Sequence, residues 1–280
     1  MKLLASENGF VHVCGHRGHS VGAPENTMAA FRATKENGGT TCEIDIVLTR
    51  DGEIAVIHDL AVDRVSDGHG LVAGLTMAEL AKLDAGSWFD PAFAGERIPS
   101  LREVLLYAKG HLGLVIEIKE RFQFDPLVDR LGELLEETGT HDDVIIISFD
   151  HPALLEVKRR IPGVRTEGIT HARHVSMPAV AQSANLDSLS IELARFHPED
   201  ARELHEAGVA IRCHLPRPPV IGYYDALGAE MAEEMGAYTA SLFPSITERV
   251  GEWLREGLID SLSGDDVVWL HKFVSQNPLG

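Results

Sequence analysis

The chain of 280 residues alternates short apolar runs with amphipathic stretches along nearly its whole length. Short apolar runs bounded by turn residues are typical of buried strands, and the longer stretches have the period of helices. The predicted strands are Phe10–Cys14, Thr41–Leu48, Leu112–Ile118, Val144–Ser148, Val164–Ile169, Leu186–Ser190, Val209–Cys213 and Ala237–Leu242. Most are followed by a predicted helix, and the last of these helices are Ala226–Met235 and Thr247–Glu256. Eight such units predict a (β/α)8 (TIM) barrel, which has about 250 residues. A doubly wound open sheet is the alternative.

Three segments depart from this alternation. Asp51-Gly52 separates the second strand from the apolar run Ile54–Ile57, which indicates an antiparallel hairpin. Residues 60–109 are less regular and are interpreted as a small subdomain inserted after the second strand. Residues 258–280 are predicted to form an extra helical tail over the barrel. The whole chain, 1–280, is therefore predicted to be a single barrel domain.

Charge and cysteine content restrict the partners that this chain can have. The formal net charge of −18, from 25 basic and 43 acidic residues, argues against binding nucleic acid or anionic lipid. A small anionic substrate stays compatible, because a metal or an arginine can override the overall field locally. No apolar run is long enough to span a membrane, and we interpret the N-terminal residues as lacking a signal peptide, although a leader removed earlier stays open. Three cysteines without a CxxC motif fit a reducing compartment. We expect a cytoplasmic protein that binds a small molecule, without stable membrane insertion, and a homo-oligomer is compatible with the sequence.

The end of the first predicted strand carries polar residues suited to a phosphate. In the segment CGHRGHSVGAPENT at 14–27, His16 and Arg17 lie between two glycines directly after the strand. Glycine lets the backbone approach a ligand closely, and a planar guanidinium suits bidentate phosphate oxygens. The pattern is neither a P-loop nor GxGxxG, so nucleotide binding is not indicated. Asn26 is the predicted N-cap of the helix that follows.

Three carboxylates are predicted to meet at the same end of the barrel. Glu43 and Asp45 are two residues apart, so they share one face of the second strand, and Glu117 and Lys119 share a face of the third. Buried carboxylates that converge would repel one another, and a hard divalent cation would resolve this. Oxygen ligands suit Mg²⁺ or Ca²⁺ better than Zn²⁺. The alternative is a network of ion pairs in which the carboxylates bind Arg17 and Lys119.

Two histidines are candidates for proton transfer. His16 ends the first strand and His58 ends the hairpin arm, so both are predicted to lie beside the carboxylates. The pKa of histidine lies near neutral pH, so either side chain can give or take a proton. A lone histidine would more simply be structural, but the combination with three carboxylates favours a catalytic site.

At this point the motifs resemble a known family. HRG…PENT, CEIDIVLTRDGEIAVIHD and IEIK, in this order from His16 to Lys119, resemble the glycerophosphodiester phosphodiesterases, and the resemblance continues more thinly through Ile147-Ser148-Phe149. The resemblance implies a (β/α)8 barrel with a subdomain inserted after the second strand. It also implies hydrolysis of glycerophosphodiesters to glycerol 3-phosphate and an alcohol, through a cyclic phosphate.

The resemblance also implies roles for single residues. Glu43, Asp45 and Glu117 would hold one divalent cation, Mg²⁺ or Ca²⁺, and His16 and His58 would be the acid–base pair. Which histidine acts first stays open.

Four residues are predicted to bind or face the substrate. The resemblance implies that Arg17 and Lys119 contact the phosphate, and Phe149 is a candidate for contact with the substrate. The family often has Trp-Thr-Val-Asn on strand seven and Thr-Asp-x-Pro at the end of strand eight, whereas this chain has RCHL at 212–215 and ASLFP at 240–244. We therefore predict that Arg212 faces a more cationic pocket, with a surface ion pair as the alternative.

Three other functions are weighed against the main interpretation. The departures on strands seven and eight leave room for a phosphodiesterase specialised for a sugar or other unusual diester. A phospholipase D-like enzyme that cleaves lysophospholipid or sphingomyelin is disfavoured, because such chains are usually secreted and disulfide-bonded. A non-catalytic binding barrel would be expected to lack a histidine or a metal carboxylate, and none is missing.

Overall fold

The structure, a computed structural model, describes residues 1–119, 122–215 and 229–280. Of residues 229–239 it describes the backbone only. The strands in this part of the chain are β1 (His12–His16), β2 (Thr41–Leu48), β3 (Ile54–Val56), β4 (Gly113–Ile118), β5 (Val144–Ser148), β6 (Arg165–Thr170), β7 (Ser188–Ile191), β8 (Ala210–His214) and β9 (Ser261–Gly264). All except β3 pair in parallel, and β1 pairs with both β2 and β9, so eight strands close into a barrel. The predicted (β/α)8 fold is confirmed.

Helices surround this barrel. They are α1 (Ala5–Asn8), α2 (Met28–Glu36), α3 (Met77–Leu80), α4 (Leu101–Ala108), α5 (Phe124–Thr138), α6 (His151–Arg160), α7 (Met177–Ser183), α8 (Pro198–Glu206), α9 (Ala229–Arg255) and α10 (Val267–Gln276). Outward-facing strand residues such as Ile44 and Ile116 pack with helix residues such as Phe31 and Leu131 in the main hydrophobic core. Part of the predicted helix Ala226–Met235 lies outside the described residues.

The hairpin and the insertion follow the second strand as predicted. β3 pairs antiparallel with β2, and Val47 lies opposite Ala55. The residues after β3 build a small core of their own, in which Val62 and Leu80 are buried with Val47 and Ala55, on the hairpin face that continues the inward face of β2. The insertion therefore extends the barrel at its second strand without opening it.

The eighth barrel strand lies later in the sequence than predicted. The prediction of a strand at Ala237–Leu242 is wrong, because these residues lie within α9. The eighth strand is β9, which pairs with β1 and β8. The segment 258–280, predicted as a helical tail, thus supplies a barrel strand before α10. Residues 240–244 are helical and form no strand end at the barrel mouth.

The chain's own N-terminus fills the end of the barrel where the strands begin. Met1 and Leu3 pack against the inward-facing side chains of Cys14, Val115 and Ile145. The side chains of the predicted site lie at the opposite end, where the parallel strands finish. The three cysteines are unpaired and buried, as expected. Within the described ranges, no helix combines the length and the apolar character needed to cross a membrane.

Candidate active site and metal centre

Three carboxylates converge where β2 and β4 end. Asp45 on β2 lies opposite Glu117 on β4, and Glu43 lies two residues before Asp45 on the same inward face. One oxygen from each lies within 4.8 Å of the others. Glu43 and Asp45 are 2% and 1% exposed, so this charge is enclosed by the barrel rather than spread in solvent.

Burial and mutual repulsion shift the pKa values of these acids. Burial, together with the negative charge of Asp45, raises the pKa of Glu43 to about 7. Burial also raises the pKa of Glu117. Burial alone would raise the pKa of Asp45, but the charges of Lys119 and Arg17 outweigh it and the pKa is lowered. The cluster is therefore an oxygen donor set with unrelieved negative charge, which is the chemistry of a Mg²⁺ or Ca²⁺ site.

Cations contact this cluster but do not neutralise it. Lys119 Nζ lies 2.5 Å from Asp45 Oδ1 and 3.8 Å from Glu117 Oε2. Arg17 Nε lies 3.5 Å from Asp45 Oδ2. The ion-pair network considered from the sequence therefore exists, but both side-chain cations contact Asp45, whereas Glu43 faces the ring of His16 and the backbone N–H of Arg17.

Glu43 should make the metal-free fold less stable as the pH rises. Its pKa is raised from 4.5 to about 7 in the folded chain, so folding favours the neutral acid. That contribution is complete below about pH 4.5 and is lost as the pH rises through about 7. The shift corresponds to about 3 kcal/mol. Urea denaturation in EDTA will measure the free energy of unfolding of the wild type minus that of Glu43→Gln, and this difference should fall from about pH 5 to about pH 8. A difference that does not change with pH would contradict the raised pKa of Glu43 in the folded chain.

His16 ends β1 and is held by a carboxylate that the sequence interpretation missed. His16 Nδ1 lies 2.7 Å from Asp265 Oδ1, which follows β9 directly. His16 Nε2 faces the carboxylate cluster, 4.0 Å from Glu43 Oε2. A carboxylate on Nδ1 fixes the ring and its tautomer and leaves Nε2 for proton transfer. Asp265 could have been recognised from its position directly after a strand. It was missed because the eighth strand was predicted elsewhere in the sequence.

His58 has the same arrangement in the hairpin arm. His58 Nδ1 lies 2.6 Å from Asp59 Oδ1, and Arg64 Nε donates to Asp59 Oδ2 at 2.6 Å. The hydrogen bond from Arg64 contributes most to lowering the pKa of Asp59 to about 2, so this carboxylate is ionised. Both candidate acid–base histidines therefore carry an aspartate on Nδ1.

The pKa values of the two histidines move in opposite directions. Burial alone would lower the pKa of His16, but the hydrogen bond to Asp265 and the charges of Glu43 and Asp265 raise it above its ordinary value. Burial lowers the pKa of His58 more than Asp45 and Asp59 raise it. In the metal-free site His16 therefore holds a proton more tightly than an ordinary histidine, and His58 holds one less tightly.

The turn after β1 places Arg17 at the mouth. Arg17 has a φ of 55°, and its backbone N–H donates to Glu43 Oε2 at 3.0 Å. Its guanidinium binds Glu25 at 3.0 Å, and the side chain remains 20% exposed. Gly18 has a φ of 89°, and a Cβ there would lie 2.5 Å from the Ala30 Cβ on α2. Glycine is therefore required for the turn to pack against this helix.

The prediction that Asn26 is the N-cap of α2 is wrong. The N-cap of α2 is Thr27, whose side chain accepts a hydrogen bond from the Ala30 N–H. Asn26 is buried, with a φ of 55°, and its Nδ2 donates to Asp45 Oδ2 at 2.9 Å. The residue before the helix thus holds a metal-site carboxylate.

The remaining predicted substrate residues differ in their access to the mouth. Phe149 follows β5, is 46% exposed and packs on the ring of His171 at 5.0 Å. Arg212 is 6% exposed and binds Glu167 on β6 through two nitrogens, at 2.6 and 2.7 Å. The charge of Arg212 is therefore paired inside the barrel, and the ion pair is buried rather than on the surface.

Fold and site together are typical of barrel enzymes in which a carboxylate-bound divalent metal and two histidines act on a phosphate ester. The sequence profile of the glycerophosphoryl diester phosphodiesterase family matches residues 16–237, and the chain belongs to this family. A glycerophosphodiester phosphodiesterase of Bacillus subtilis is 31% identical over 214 residues, which are 70% of this chain and 73% of that relative.

Two further relatives are more similar over shorter stretches. A glycerophosphodiester phosphodiesterase of Caldanaerobacter subterraneus is 44% identical over 156 residues, covering 55% of this chain and 64% of that protein. YhdW of Bacillus subtilis is 40% identical over 160 residues, covering 57% of this chain and 66% of that protein. The chain thus spans just under two thirds of the length of these two relatives.

Solved structures match over nearly the whole chain. A glycerophosphodiester phosphodiesterase of Agrobacterium tumefaciens superposes with a TM-score of 0.75 at 23% identity, covering 95% of this chain and 100% of the other. An Oleispira antarctica phosphodiesterase in complex with its product sn-glycerol-3-phosphate gives 0.75 at 23% identity, with coverage of 96% and 99%. At this identity the similarity shows the fold.

Proposed function

We propose that this chain hydrolyses glycerophosphodiesters to glycerol 3-phosphate and an alcohol. The observation that carries the proposal is the carboxylate cluster flanked by two Asp–His pairs at one barrel mouth. Membership of the family supports it. The Oleispira antarctica phosphodiesterase, of the same fold, has sn-glycerol-3-phosphate as its product.

Glu43, Asp45 and Glu117 would hold one divalent cation, for which their oxygen atoms favour Mg²⁺ or Ca²⁺. When bound, this cation supplies positive charge that stabilises the negative phosphoryl oxygens as the reaction proceeds. Arg17 and Lys119 lie against the same carboxylates, so they are placed to bind phosphate oxygens beside them.

The two histidines would move the protons. One Nε2 takes the proton of the glycerol 2-hydroxyl as its oxygen attacks phosphorus, and the other donates a proton to the departing alcohol oxygen. A cyclic phosphate results. Water then opens the ring with the roles reversed, and both histidines return to their starting states. The lowered pKa of His58 and the raised pKa of His16 support His58 as the first base and His16 as the first acid.

We place Phe149 along the path of the alcohol group, because its ring is exposed after β5. Direct contact between substrate and Arg212 stays a prediction, and its buried ion pair with Glu167 speaks against it. The structure weakens the case for an unusual diester as substrate. Residues 240–244 were one of the two departures that suggested it, and they are helical and form no strand end. Three buried free thiols agree with a reducing compartment, and we propose a cytoplasmic location.

A phosphorus NMR hydrolysis panel tests this function. Glycerophosphocholine, glycerophosphoethanolamine and glycerophosphoinositol, with a lysophospholipid and a sugar phosphodiester, are each incubated with Mg²⁺, Ca²⁺ or EDTA. We expect metal-dependent release of glycerol 3-phosphate from the glycerol esters. Turnover of the sugar diester or lysophospholipid alone would replace the proposed substrate class. No turnover of any diester with metal present would overturn the hydrolase assignment and favour a binding barrel.

A further inference from the structure

A second group of metal-ligand side chains lies at the mouth, beside the carboxylate site. His16 ends β1, His214 ends β8 and Asp265 follows β9. One ligand atom from each residue lies within 4.8 Å of the others. β9 pairs with both β1 and β8, so three adjacent barrel strands place the three side chains.

The contacts within this group are close and specific. His16 Nδ1 lies 2.7 Å from Asp265 Oδ1. The rings of His16 and His214 meet edge to face, with centroids 5.0 Å apart. His214 Nδ1 lies 3.2 Å from the hydroxyl of Ser263, which fixes the ring. All three residues are partly exposed, so an ion could enter from solvent.

The donor set differs from that of the neighbouring site. Glu43, Asp45 and Glu117 offer only oxygen, whereas this group offers two imidazole nitrogens and one carboxylate oxygen. Two histidines and one carboxylate suit Zn²⁺ and similar transition metals, whereas Mg²⁺ and Ca²⁺ prefer oxygen.

We propose that His16, His214 and Asp265 form a second cation site, which binds Zn²⁺ in preference to Mg²⁺ or Ca²⁺ and inhibits turnover when filled. His16 binds the ion through Nδ1, the nitrogen on the side of Asp265. Starting from the protonated ring, the Nδ1–H bond breaks, that proton passes to the buffer, the freed lone pair of Nδ1 binds the ion, and the ring keeps its one proton on Nε2. His16 can then no longer accept a proton at Nε2, as each turnover requires.

The inhibition rests on the proposed function, but the binding does not. Equilibrium dialysis against Zn²⁺, with excess Mg²⁺ for the carboxylate site, measures binding directly. We expect His214→Asn to weaken Zn²⁺ binding by at least about tenfold, while Glu117→Gln keeps the site. His171→Asn removes a histidine that is 62% exposed on the mouth rim and is the matched control, with unchanged Zn²⁺ binding.

Inhibition is measured separately on the Mg²⁺-loaded enzyme. Zn²⁺ should inhibit the wild type and the His171→Asn variant but not His214→Asn, when the rate of each protein is compared with its own rate without Zn²⁺. Equal Zn²⁺ affinity in wild type and His214→Asn would overturn the site. Loss of binding in that variant without inhibition of the wild type would overturn the inhibition alone. If His214→Asn does not fold, Asp265→Asn provides the same dialysis test, and a chain that hydrolyses no diester can still show the site.

Discussion

Replacing Glu117 with Gln is expected to abolish metal-dependent turnover and to make the metal-free protein more resistant to heat. Burial raises the pKa of Glu117, and the negative charge of Asp45 adds to this rise. A neutral amide removes part of this repulsion, and for a chain of this size each kcal/mol regained raises Tm by about 2–4 °C. The same change removes a ligand, so kcat should fall by at least about 100-fold.

Two measurements separate these effects. Thermal unfolding in EDTA should give a higher Tm for Glu117→Gln than for the wild type, whereas added Mg²⁺ or Ca²⁺ should stabilise only the wild type. Glu36→Gln, which neutralises an exposed glutamate on α2, is the matched control and should change neither quantity. A Glu117→Gln variant whose Tm still rises with metal as in the wild type would show that the ion does not bind at this cluster.

The carboxylate site was predictable because its residues violate the pattern of their strands. Glu43 and Asp45 interrupt an apolar strand at alternate positions, and such charges need a partner when buried. Their spacing alone places both on one face, and the structure brings them against Glu117 as expected. Residues that are costly for stability and share one face are the ones that a sequence identifies best.

The eighth strand was not predictable in the same way. β9 has the sequence SLSG, in which only Leu262 is strongly apolar, whereas the helical segment around 237–242 is rich in apolar and aromatic residues. These four residues form a strand because they pair with β1 and β8, and not because their own sequence has the pattern of a strand. The misplaced strand concealed Asp265, since a strand-end residue can be recognised only if the strand is found.

The supporting contacts of the site were missed for another reason. Asn26 and Asp59 were visible in the sequence, but their roles depend on side-chain directions that spacing does not give. Asn26 reaches Asp45 from a left-handed backbone position, and Asp59 turns back to His58, its neighbour in the chain. Long-range geometry of this kind follows only from the folded barrel.

Replacing His58 with Gln is expected to lower kcat by about 10²–10⁴-fold while leaving metal binding intact, because the proposed role of His58 is proton transfer and the residue lies outside the carboxylate cluster. Initial rates on the glycerol ester that the NMR panel ranks first give kcat, and metal-induced thermal stabilisation reports the ion. His69→Gln is the matched control, since His69 also pairs with an aspartate but its side chain is 88% exposed in the insertion. A His58→Gln variant as active as His69→Gln would remove His58 from the mechanism.

Asp59→Asn distinguishes proton transfer from a merely structural role of His58. Asp59 raises the pKa of His58 through their hydrogen bond, against the lowering effect of burial. Loss of the carboxylate should lower this pKa further, so the decline in kcat/KM as His58 becomes protonated should move to lower pH. The maximal rate should also fall, because an amide no longer fixes the Nδ1–H tautomer that leaves Nε2 free to accept a proton. A lower rate with an unshifted acid limb would mean that another group governs this titration, and that Asp59 serves mainly to hold the hairpin arm through Arg64.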